Sequence, residues 1–536
     1  MEQSCINRVL QRLFGKVPAR ISLGALAFLG FVVMTSVRIN IAVAIVGMVR
    51  QNASSALTAQ AQCLGGNETR WTDGRAKEGD SNRTIFPTVR EEQVEQGEEE
   101  EDQGDMLDWD EVTQGLVIAS FFYGYTFTQI IGGRLAEKYG TRITFGICGL
   151  TSGFFTLLSP VAARSHYGAL IAVRVLMGFF QGPMWPSMHA LVPRWIPPLE
   201  RSRFIASVYF ASNLSMMVTM ATTGVIVAYL GWAAAFYIPG TLCIVWASFW
   251  LLLVSDDPSQ HPRISSEERE HIESTVRKAG SSRTRPQKVP WRDVFTSLPF
   301  WAIIIPDIGN VFGLSVYSSH LPTYMKNVLG FSIKENGLLS SLPFLCRYTG
   351  ANTFGALCDR LLASKRISLL MCRRVFSAIA LFFPAIFCIA TAYSGCSATL
   401  TVIFLCLANF TNGAIGSSIL VNYTDISPNF SGTLFGIGNT FCSFMMFLAP
   451  VCVGAIIQGQ QTMSQWRKVF WACVPLYALT EVFYLLTSST DVQPWNSAGE
   501  EEEEEKAKEG KEDGNCTTTI TPLMVEEATK ELNNKE

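Results

Sequence analysis

Charged residues are scarce in this sequence, and several chemical patterns are missing from it altogether. Asp, Glu, Lys and Arg make up 16% of the 536 residues, whereas a soluble domain usually carries about a quarter. The five histidines do not cluster, and no metal-ligand spacing or nucleophile–base pair occurs. No basic face with interleaved aromatic residues is present either. These absences argue against a large soluble core, a metal centre, an enzyme and a nucleic-acid-binding protein.

The few charges that do occur are unevenly placed. Acidic residues crowd into 91–111 and 500–536, and both stretches are poor in apolar residues. Such composition is typical of solvated, disordered chain. The rest of the sequence is apolar, with 35 phenylalanines and 48% hydrophobic residues overall. We therefore expect a membrane protein with acidic segments outside the bilayer.

Long apolar runs predict an all-α protein with twelve membrane spans. A run of about 20 apolar residues is long enough to cross the hydrocarbon core. The runs are 21–47, 112–134, 143–163, 167–192, 203–229, 232–254, 298–326, 336–358, 369–393, 398–421, 431–458 and 467–487. The fifth and sixth runs are weakly separated, which leaves the count uncertain by about one span.

Lys and Arg near the span ends predict the orientation, because positively charged loops stay in the cytoplasm. The basic loops alternate along the chain and place both termini on the cytoplasmic side. The predicted parts are a tail 1–20, a six-helix half 21–254, a cytoplasmic linker 255–297, a second six-helix half 298–487 and an acidic tail 488–536.

The first loop, 48–111, then lies outside the cytoplasm, and it carries three glycosylation sequons at Asn52, Asn67 and Asn82. Cys63 and Cys396 are the cysteines that fall in loops on that side. A disulfide between them is one possibility, and two free thiols are the other.

A short element after the second span recurs after the eighth. The first copy contains Gly133, Glu137, Gly140 and Arg142, and the second contains Gly355, Asp359 and Arg360. The first copy resembles the signature of the major facilitator superfamily, in which glycines allow close helix approach and an acid forms breakable contacts. The plain alternative is a generic positive loop. Two copies at equivalent spans favour the resemblance and a two-bundle transporter fold.

Further segments narrow the resemblance to the solute carrier 17 family of anion transporters. They are TSVRINIAVAIV around Arg38, SFFYGYTFTQIIGG, PPLERSR, LPTY, ENGLLSSLP and NYTDISP. The likeness covers roughly residues 18–487 and leaves out the tails and most of the first loop.

The resemblance implies that Arg38 and Arg174 bind an anionic substrate. At a rise of 1.5 Å per residue, both lie in the outer half of the membrane, where they could face one cavity. A guanidinium fork suits a carboxylate or a phosphate. The alternative is that each side chain extends to the outer membrane surface.

The coupling residues of the family are partly missing here. Met177 and Gln181 stand where sialin-like relatives carry glutamates that the resemblance links to proton coupling. His189 matches a histidine of the relatives and is either a proton switch or a satisfied buried histidine.

Asp307 is the candidate for a replacement acid, with Arg347 as its expected partner, and relatives generally carry neither charge. Both are expected about 12–14 Å from the inner membrane edge, and we predict that they pair because an unpaired buried charge is costly. The pair either couples a cation, binds the substrate carboxylate or simply joins two helices.

Five further polar side chains within spans are candidates for the substrate cavity, with helix packing as the alternative. They are Tyr123, Asn310, Tyr317, Ser417 and Asn439. Asn310 stands where vesicular glutamate transporters carry an arginine, which argues against glutamate.

The sequence therefore predicts a monomeric secondary transporter that moves a small anion by alternating access, without a cofactor. Its substrate is an organic acid such as sialic acid or an acidic amino acid, or inorganic phosphate, and symport with H⁺ or Na⁺ supplies the energy. A sodium-dependent phosphate cotransporter is the nearest alternative. An anion channel or a non-transporting receptor is the alternative from another class. The plasma membrane and lysosomal or vesicular membranes all remain open.

Overall fold

A computed structural model describes residues 18–49, 107–278, 288–328, 333–457 and 462–497. Within these ranges the chain is helical, apart from loops and an isolated bridge between Val49 and Leu107. This confirms the all-α prediction. The sequons at Asn52, Asn67 and Asn82 lie outside the described residues.

Cys396 is disulfide-bonded, whereas the other ten cysteines in the described ranges are free. Cys63, its expected partner, lies outside those ranges. The proposed pairing of these two residues therefore stays a prediction.

Each predicted apolar run corresponds to one helical segment, and three of these segments are broken. The spans are: span 1, Ala19–Met48; span 2, Glu111–Tyr139; span 3, Thr141–Ser165; span 4, Tyr167–Gln181 and Met184–Trp195; span 5, Arg201–Tyr209 and Ala211–Leu230; span 6, Ala234–Leu253; span 7, Leu298–Asn327; span 8, Ile333–Ala363; span 9, Leu369–Ala392; span 10, Ala398–Asn412 and Ile419–Ile426; span 11, Ser431–Ile457; span 12, Met463–Thr487. Short helices at Ser266–Lys278 and Trp291–Thr296 lie between spans 6 and 7.

Eleven of these segments are long and apolar enough to cross a membrane. The remaining one is span 8, a helix of 31 residues. Polar side chains such as Arg347, Asn352 and Asp359 lower its hydropathy. Span 8 is nevertheless packed among the other helices, so its polar groups face protein more than lipid.

The two halves pack their helices in the same pattern. In the first half, span 1 packs on spans 5 and 6, span 2 on span 4, and span 3 on spans 4 and 6. Adding six to each number gives the packing of the second half. The halves meet mainly where span 2 lies against span 11 and span 5 against span 8. The internal repeat of the sequence is thus a structural repeat.

One end of the bundle, here named the linker end, carries Gly140, the stretches 255–278 and 288–297 and the loop 364–368. The helix Ser266–Lys278 is attached to the first half at this end. Its Glu268 carboxylate accepts hydrogen bonds from the backbone N–H groups of Ala19 and Arg20, at 2.9 and 3.2 Å. An acid at this position satisfies free N–H groups in the first turn of span 1.

Candidate functional site

A cavity of about 190 Å³ lies between the two halves, and seven of its 21 described lining residues are aromatic. Spans 1, 2, 4 and 5 of the first half and spans 7, 8, 10 and 11 of the second contribute residues to it. Its rings are those of Phe122, Tyr125, Trp185, Tyr209, Phe210, Phe344 and Phe435. The charged side chains among the described lining residues are Arg38, Asp307 and Arg347, and uncharged polar side chains such as Asn310 and Asn439 lie beside them.

Arg38 lines the cavity, whereas Arg174 lies behind it. The guanidinium carbons of both residues are 5.9 Å from the centroid of the Phe121 ring. Arg174 also donates from Nε to the carbonyl of Val117 at 3.0 Å, and its side chain is buried. The expectation that both arginines face one cavity therefore holds for Arg38 only. Arg174 adds positive charge close to the cavity without lining it.

Asp307 and Arg347 line the same cavity but do not form the predicted ion pair. They are joined through two asparagines instead. Asp307 Oδ1 accepts from Asn310 Nδ2 at 3.3 Å, and Asn310 Oδ1 accepts from Asn412 Nδ2 at 2.9 Å. Arg347 Nε donates to Asn412 Oδ1 at 2.9 Å. The prediction of direct contact was wrong because amide groups fill the space between the two charges.

A second polar group links spans 2 and 11 across the two halves. Asn439 Nδ2 donates to Gln129 Oε1 and, at 3.5 Å, to Tyr125 Oη. Gln129 Nε2 in turn donates to Ser443 Oγ at 2.8 Å. Asn439 and Tyr125 both line the cavity, so these bonds hold the halves together at its wall.

Three of the cavity candidates lie elsewhere. Tyr123 is 45% exposed on the outside of the bundle, because it follows Phe122 by one residue, or about 100° around the helix. Tyr317 is buried, and its hydroxyl is 2.7 Å from the Cys388 thiol. Ser417 is buried too, and its carbonyl accepts from Arg373 Nη1 at 2.7 Å. The prediction that these three residues line the cavity was therefore wrong. Asn310 and Asn439, the other two candidates, do line it.

Gln181 does not line the cavity either and connects spans 4 and 1. Its Nε2 donates to the carbonyl of Met34 at 2.6 Å, and its side chain is buried together with Met177. An amide can make this contact without changing charge. Gln181, predicted as a coupling residue, therefore serves helix packing in this structure.

His189 is buried where span 4 meets span 10. Its Nδ1 lies 2.8 Å from the Tyr209 hydroxyl, and its Nε2 lies 3.2 Å from the carbonyl of Leu420. The ring also stacks on Phe435 at 3.7 Å. A neutral ring with its proton on Nε2 satisfies both bonds, which is the arrangement of a structural histidine.

The two motif acids close the linker end by reciprocal contacts. Glu137 of span 2 accepts from the backbone N–H and hydroxyl of Thr433, in the first turn of span 11, at 2.7 and 2.6 Å. Asp359 of span 8 accepts from the backbone N–H of Arg203, in the first turn of span 5, at 2.9 Å. A carboxylate is stabilised at a helix N-terminus. Each acid thus ties its own half to the other half.

The glycines and arginines of the motif have separate roles. A Cβ on Gly133 would meet the backbone of Gly432, and one on Gly355 would meet Ala206 Cβ at 2.8 Å, so both allow close contact between the halves. Gly140 has a φ of +97° in the turn between spans 2 and 3.

Arg142 acts within the first half and at the start of the linker, because its Nε donates to the carbonyl of Leu251 at 2.8 Å and its backbone N–H donates to Asp256 Oδ1 at 2.7 Å. Burial raises the pKa of the Asp256 carboxyl. Arg360 lines a crevice at the linker end with Arg203 and Glu200.

A buried charge cluster at the linker end was not predicted. Asp425 of span 10 lies 2.8 Å from Arg373 of span 9 and 3.8 Å from Arg201 of span 5. Arg373 also donates to Ser202 Oγ at 3.0 Å. Glu481 of span 12 is buried as well and accepts from Ser377 Oγ at 2.7 Å. Glu481 lies inside the apolar run 467–487, where a charge is costly, so the sequence carried a signal for it. Asp425 lies between the runs 398–421 and 431–458 and carried no such signal.

Comparison with known proteins adds an independent line of information. The model of the Major Facilitator Superfamily matches residues 26–450. Human sialin is 35% identical over 89% of this chain and 90% of its own length. A Drosophila ananassae protein named as an inorganic phosphate cotransporter is 36% identical over 74% of this chain and 83% of its own.

Among solved structures, the proton:xylose symporter XylE superposes with a TM-score of 0.58 over 90% of this chain and 99% of the XylE chain. The sequence identity is 13%, so this likeness establishes the fold alone.

Proposed function

The chain belongs to the solute carrier 17 family of the major facilitator superfamily, and we propose that its substrate is a small organic anion. Its relatives are transporters rather than enzymes, and anion transport is their common activity.

The observation that carries the proposal is the position of two arginines. Arg38 enters the cavity from the first half and Arg347 enters it from the second. A guanidinium binds carboxylates and phosphates through a planar pair of N–H groups. An anion held between them contacts both halves at once, and such a position suits a substrate that moves when the halves rock against each other.

The cavity wall supports an organic anion over inorganic phosphate. Phosphate carries polar oxygens on every side and would leave several of them against aromatic rings. An organic acid with an apolar body would place its carboxylate on the arginines and its carbon skeleton on the rings. Phosphate is the second candidate, because of the name that the Drosophila ananassae relative carries.

Alternating access would proceed by breaking the linker-end contacts. Glu137 and Asp359 hold that end closed through hydrogen bonds that a rigid-body movement of the halves can break. We place the linker end, and with it both termini, on the cytoplasmic side, since the basic loops lie there. A monomer in a plasma, lysosomal or vesicular membrane is consistent with this arrangement.

Uptake into proteoliposomes tests the proposal. The purified chain would be offered labelled sialic acid, glutamate, aspartate, urate and phosphate, under imposed H⁺ or Na⁺ gradients. We expect accumulation of at least one organic acid above protein-free vesicles. Uptake of phosphate alone would support the second candidate, and no uptake of any anion would overturn both.

A further inference from the structure

The charges at the cavity suggest how transport is coupled to a cation. Asp307 is the one carboxylate in the described cavity lining, and it shares that lining with Arg38 and Arg347. Asp307 and Arg347 both belong to the second half, and both are buried, with 3% and 6% of their surfaces exposed. Burying a charge is costly, and an opposite charge nearby offsets part of that cost.

The connection between Asp307 and Arg347 has a fixed direction. Asn412 Nδ2 donates both to Asn310 Oδ1 and to the carbonyl of Ala380, at 2.9 and 3.1 Å. This leaves Asn412 Oδ1 to accept from Arg347. Asn310 uses its oxygen for Asn412 and therefore turns its Nδ2 towards Asp307. Every donor in the chain points from the guanidinium to the carboxylate, so the two charges are coupled through aligned dipoles.

Arg347 also touches the first half. Its Nη1 lies 3.5 Å from Asn213 Oδ1, and its guanidinium carbon lies 5.1 Å from the centroid of the Phe210 ring. Both partners belong to span 5 or to its break. A change in the group that neutralises the charge of Arg347 therefore affects the contact between spans 5 and 8.

We propose that Asp307 is the proton-binding site of the transport cycle and that its protonation frees Arg347 to bind the anion. This inference rests on the proposed function and names its coupling ion. With Asp307 ionised and no anion present, Arg347 is balanced by Asp307. With Asp307 protonated and an anion bound, Arg347 is balanced by the substrate.

The two remaining combinations each leave Arg347 poorly matched. An anion beside ionised Asp307 competes with that carboxylate for Arg347. An empty cavity beside protonated Asp307 leaves both arginines without a carboxylate, which raises the energy of the closed states through which the halves must pass. Arg38 is positive in every state and attracts the anion whether or not Asp307 is protonated. Binding of the proton thus strengthens binding of the anion, and the reverse holds equally. Proton and anion therefore cross together, and the proton returns to water when the anion leaves.

The groups around Asp307 favour H⁺ over Na⁺. The carboxylate is bonded by the Asn310 N–H group and lies next to the Cys442 thiol. These groups are donors, whereas a hard metal cation requires several oxygen ligands. The single oxygen of the Asn310 amide is already used by Asn412.

The other titratable groups near this site keep their charge state around neutral pH. Those that interact with Asp307 or Arg347 are Cys442 of span 11, Tyr423 of span 10 and Tyr477 of span 12, and thiols and phenols ordinarily titrate above pH 8. The remaining carboxylates of spans 10 and 12 are occupied elsewhere, Asp425 with Arg373 and Glu481 with Ser377.

The test compares two kinds of transport in proteoliposomes containing wild type or Asp307→Asn. Asparagine mimics the protonated acid, so the variant should still exchange labelled anion for unlabelled anion. It should not accumulate anion when a pH gradient is imposed, and the ratio of uptake with and without the gradient should fall to roughly one. Glu481→Gln is the matched control, since it removes a buried carboxylate of the same half that lies outside the cavity lining. It should keep the gradient-driven accumulation.

A second measurement uses wild-type protein only, so its result does not depend on whether the variant folds. A pH-sensitive dye inside the vesicles should show acidification when an external anion is added, if the two species enter together. Anion entry without proton entry would overturn the inference, as would accumulation by Asp307→Asn under a pH gradient. Accumulation driven by Na⁺ and not by H⁺ would also overturn it. Absence of any exchange by wild type would instead contradict the proposed function itself.

Discussion

Asn412 shows how much a single amide contributes at the centre of this protein. It accepts from Arg347 and donates to both Asn310 and the backbone of span 9. Asparagine can do this because its side chain carries an acceptor and two donors. No charged or apolar side chain of similar size offers the same set.

We predict that Asn412→Ala weakens the connection between Asp307 and Arg347. Removing the amide leaves Arg347 Nε and Asn310 Oδ1 without their partner, which costs about 1–3 kcal/mol for each buried group. Gradient-driven uptake should fall more than anion exchange does, and both rates can be measured in the same vesicles.

Asn409→Ala is the control for that variant. Asn409 lies one turn earlier on the same helix, is equally buried, and donates to the carbonyl of Leu405 in its own helix. Its loss should leave the ratio of gradient-driven uptake to exchange unchanged. An equal effect of both variants on that ratio would contradict the role given to Asn412.

The charged residues of the site were easier to predict from the sequence than the groups that they contact. An ionisable residue is conspicuous in an apolar run, which is how Asp307 and Arg347 were found, whereas Arg38 was found through the family resemblance. Their partners are Asn, Phe and backbone groups, which are common in spans and carry no such signal. Tyr123 shows the limit, because an error of one residue in a helix turns a side chain by about 100° and out of the cavity.

Spans 2 and 11 approach closely at the linker end, and Gly133 makes this approach possible. A methyl group there would overlap the backbone of Gly432. We predict that Gly133→Ala forces the linker end open, at a cost of about 1–3 kcal/mol to the closed state. Hydrogen–deuterium exchange should then rise at the Thr433 and Arg203 amides, which Glu137 and Asp359 bind.

Gly115→Ala provides the comparison on the same helix. A Cβ at Gly115 meets nothing within 4 Å, so this variant should leave exchange at both amides as in wild type. If Gly133→Ala also left both amides unchanged, close packing at Gly133 would not control the closure.

The charge cluster at Asp425 joins three helices, because spans 9 and 5 supply the arginines. We predict that Asp425→Asn destabilises the protein by about 3–5 kcal/mol, since two buried guanidinium groups lose their counter-charge. A lower melting temperature of the detergent-purified protein would show it. Asp491→Asn, which changes an exposed aspartate, should melt like wild type, and equal melting of the two variants would contradict the prediction.

Helices were predictable from hydropathy, but their breaks were not. Each apolar run corresponds to one span, because a bilayer demands that length of apolar helix. The interruptions after Gln181, Tyr209 and Asn412 fall inside predicted apolar runs, so hydropathy does not show them. Gly182 and Pro183 follow the first interruption and Gly413 follows the third. These helix-breaking residues are a sequence signal that hydropathy leaves out.

For the whole molecule, the internal repeat was visible in the sequence, but the contacts that it forms between the two halves were not. Two copies of the motif predicted two bundles, and their packing repeats span by span. The reciprocal contact of each acid with a helix of the other half depends on both bundles together. The motif in the sequence identifies Glu137 and Asp359, but it does not identify the helix N-termini of the other half that they contact.

The central claim is that an anion crosses between the halves through contact with cavity arginines. It is tested most directly by anion exchange in proteoliposomes with wild type, Arg38→Gln and Arg164→Gln. Arg38 lines the cavity, whereas Arg164 lies over the Trp232 ring at 5.1 Å, outside that lining. Losing a charged hydrogen-bond partner costs about 1.5–3 kcal/mol. The KM for the anion should therefore rise about tenfold or more in Arg38→Gln and stay at the wild-type value in Arg164→Gln. A wild-type KM in Arg38→Gln would contradict the claim.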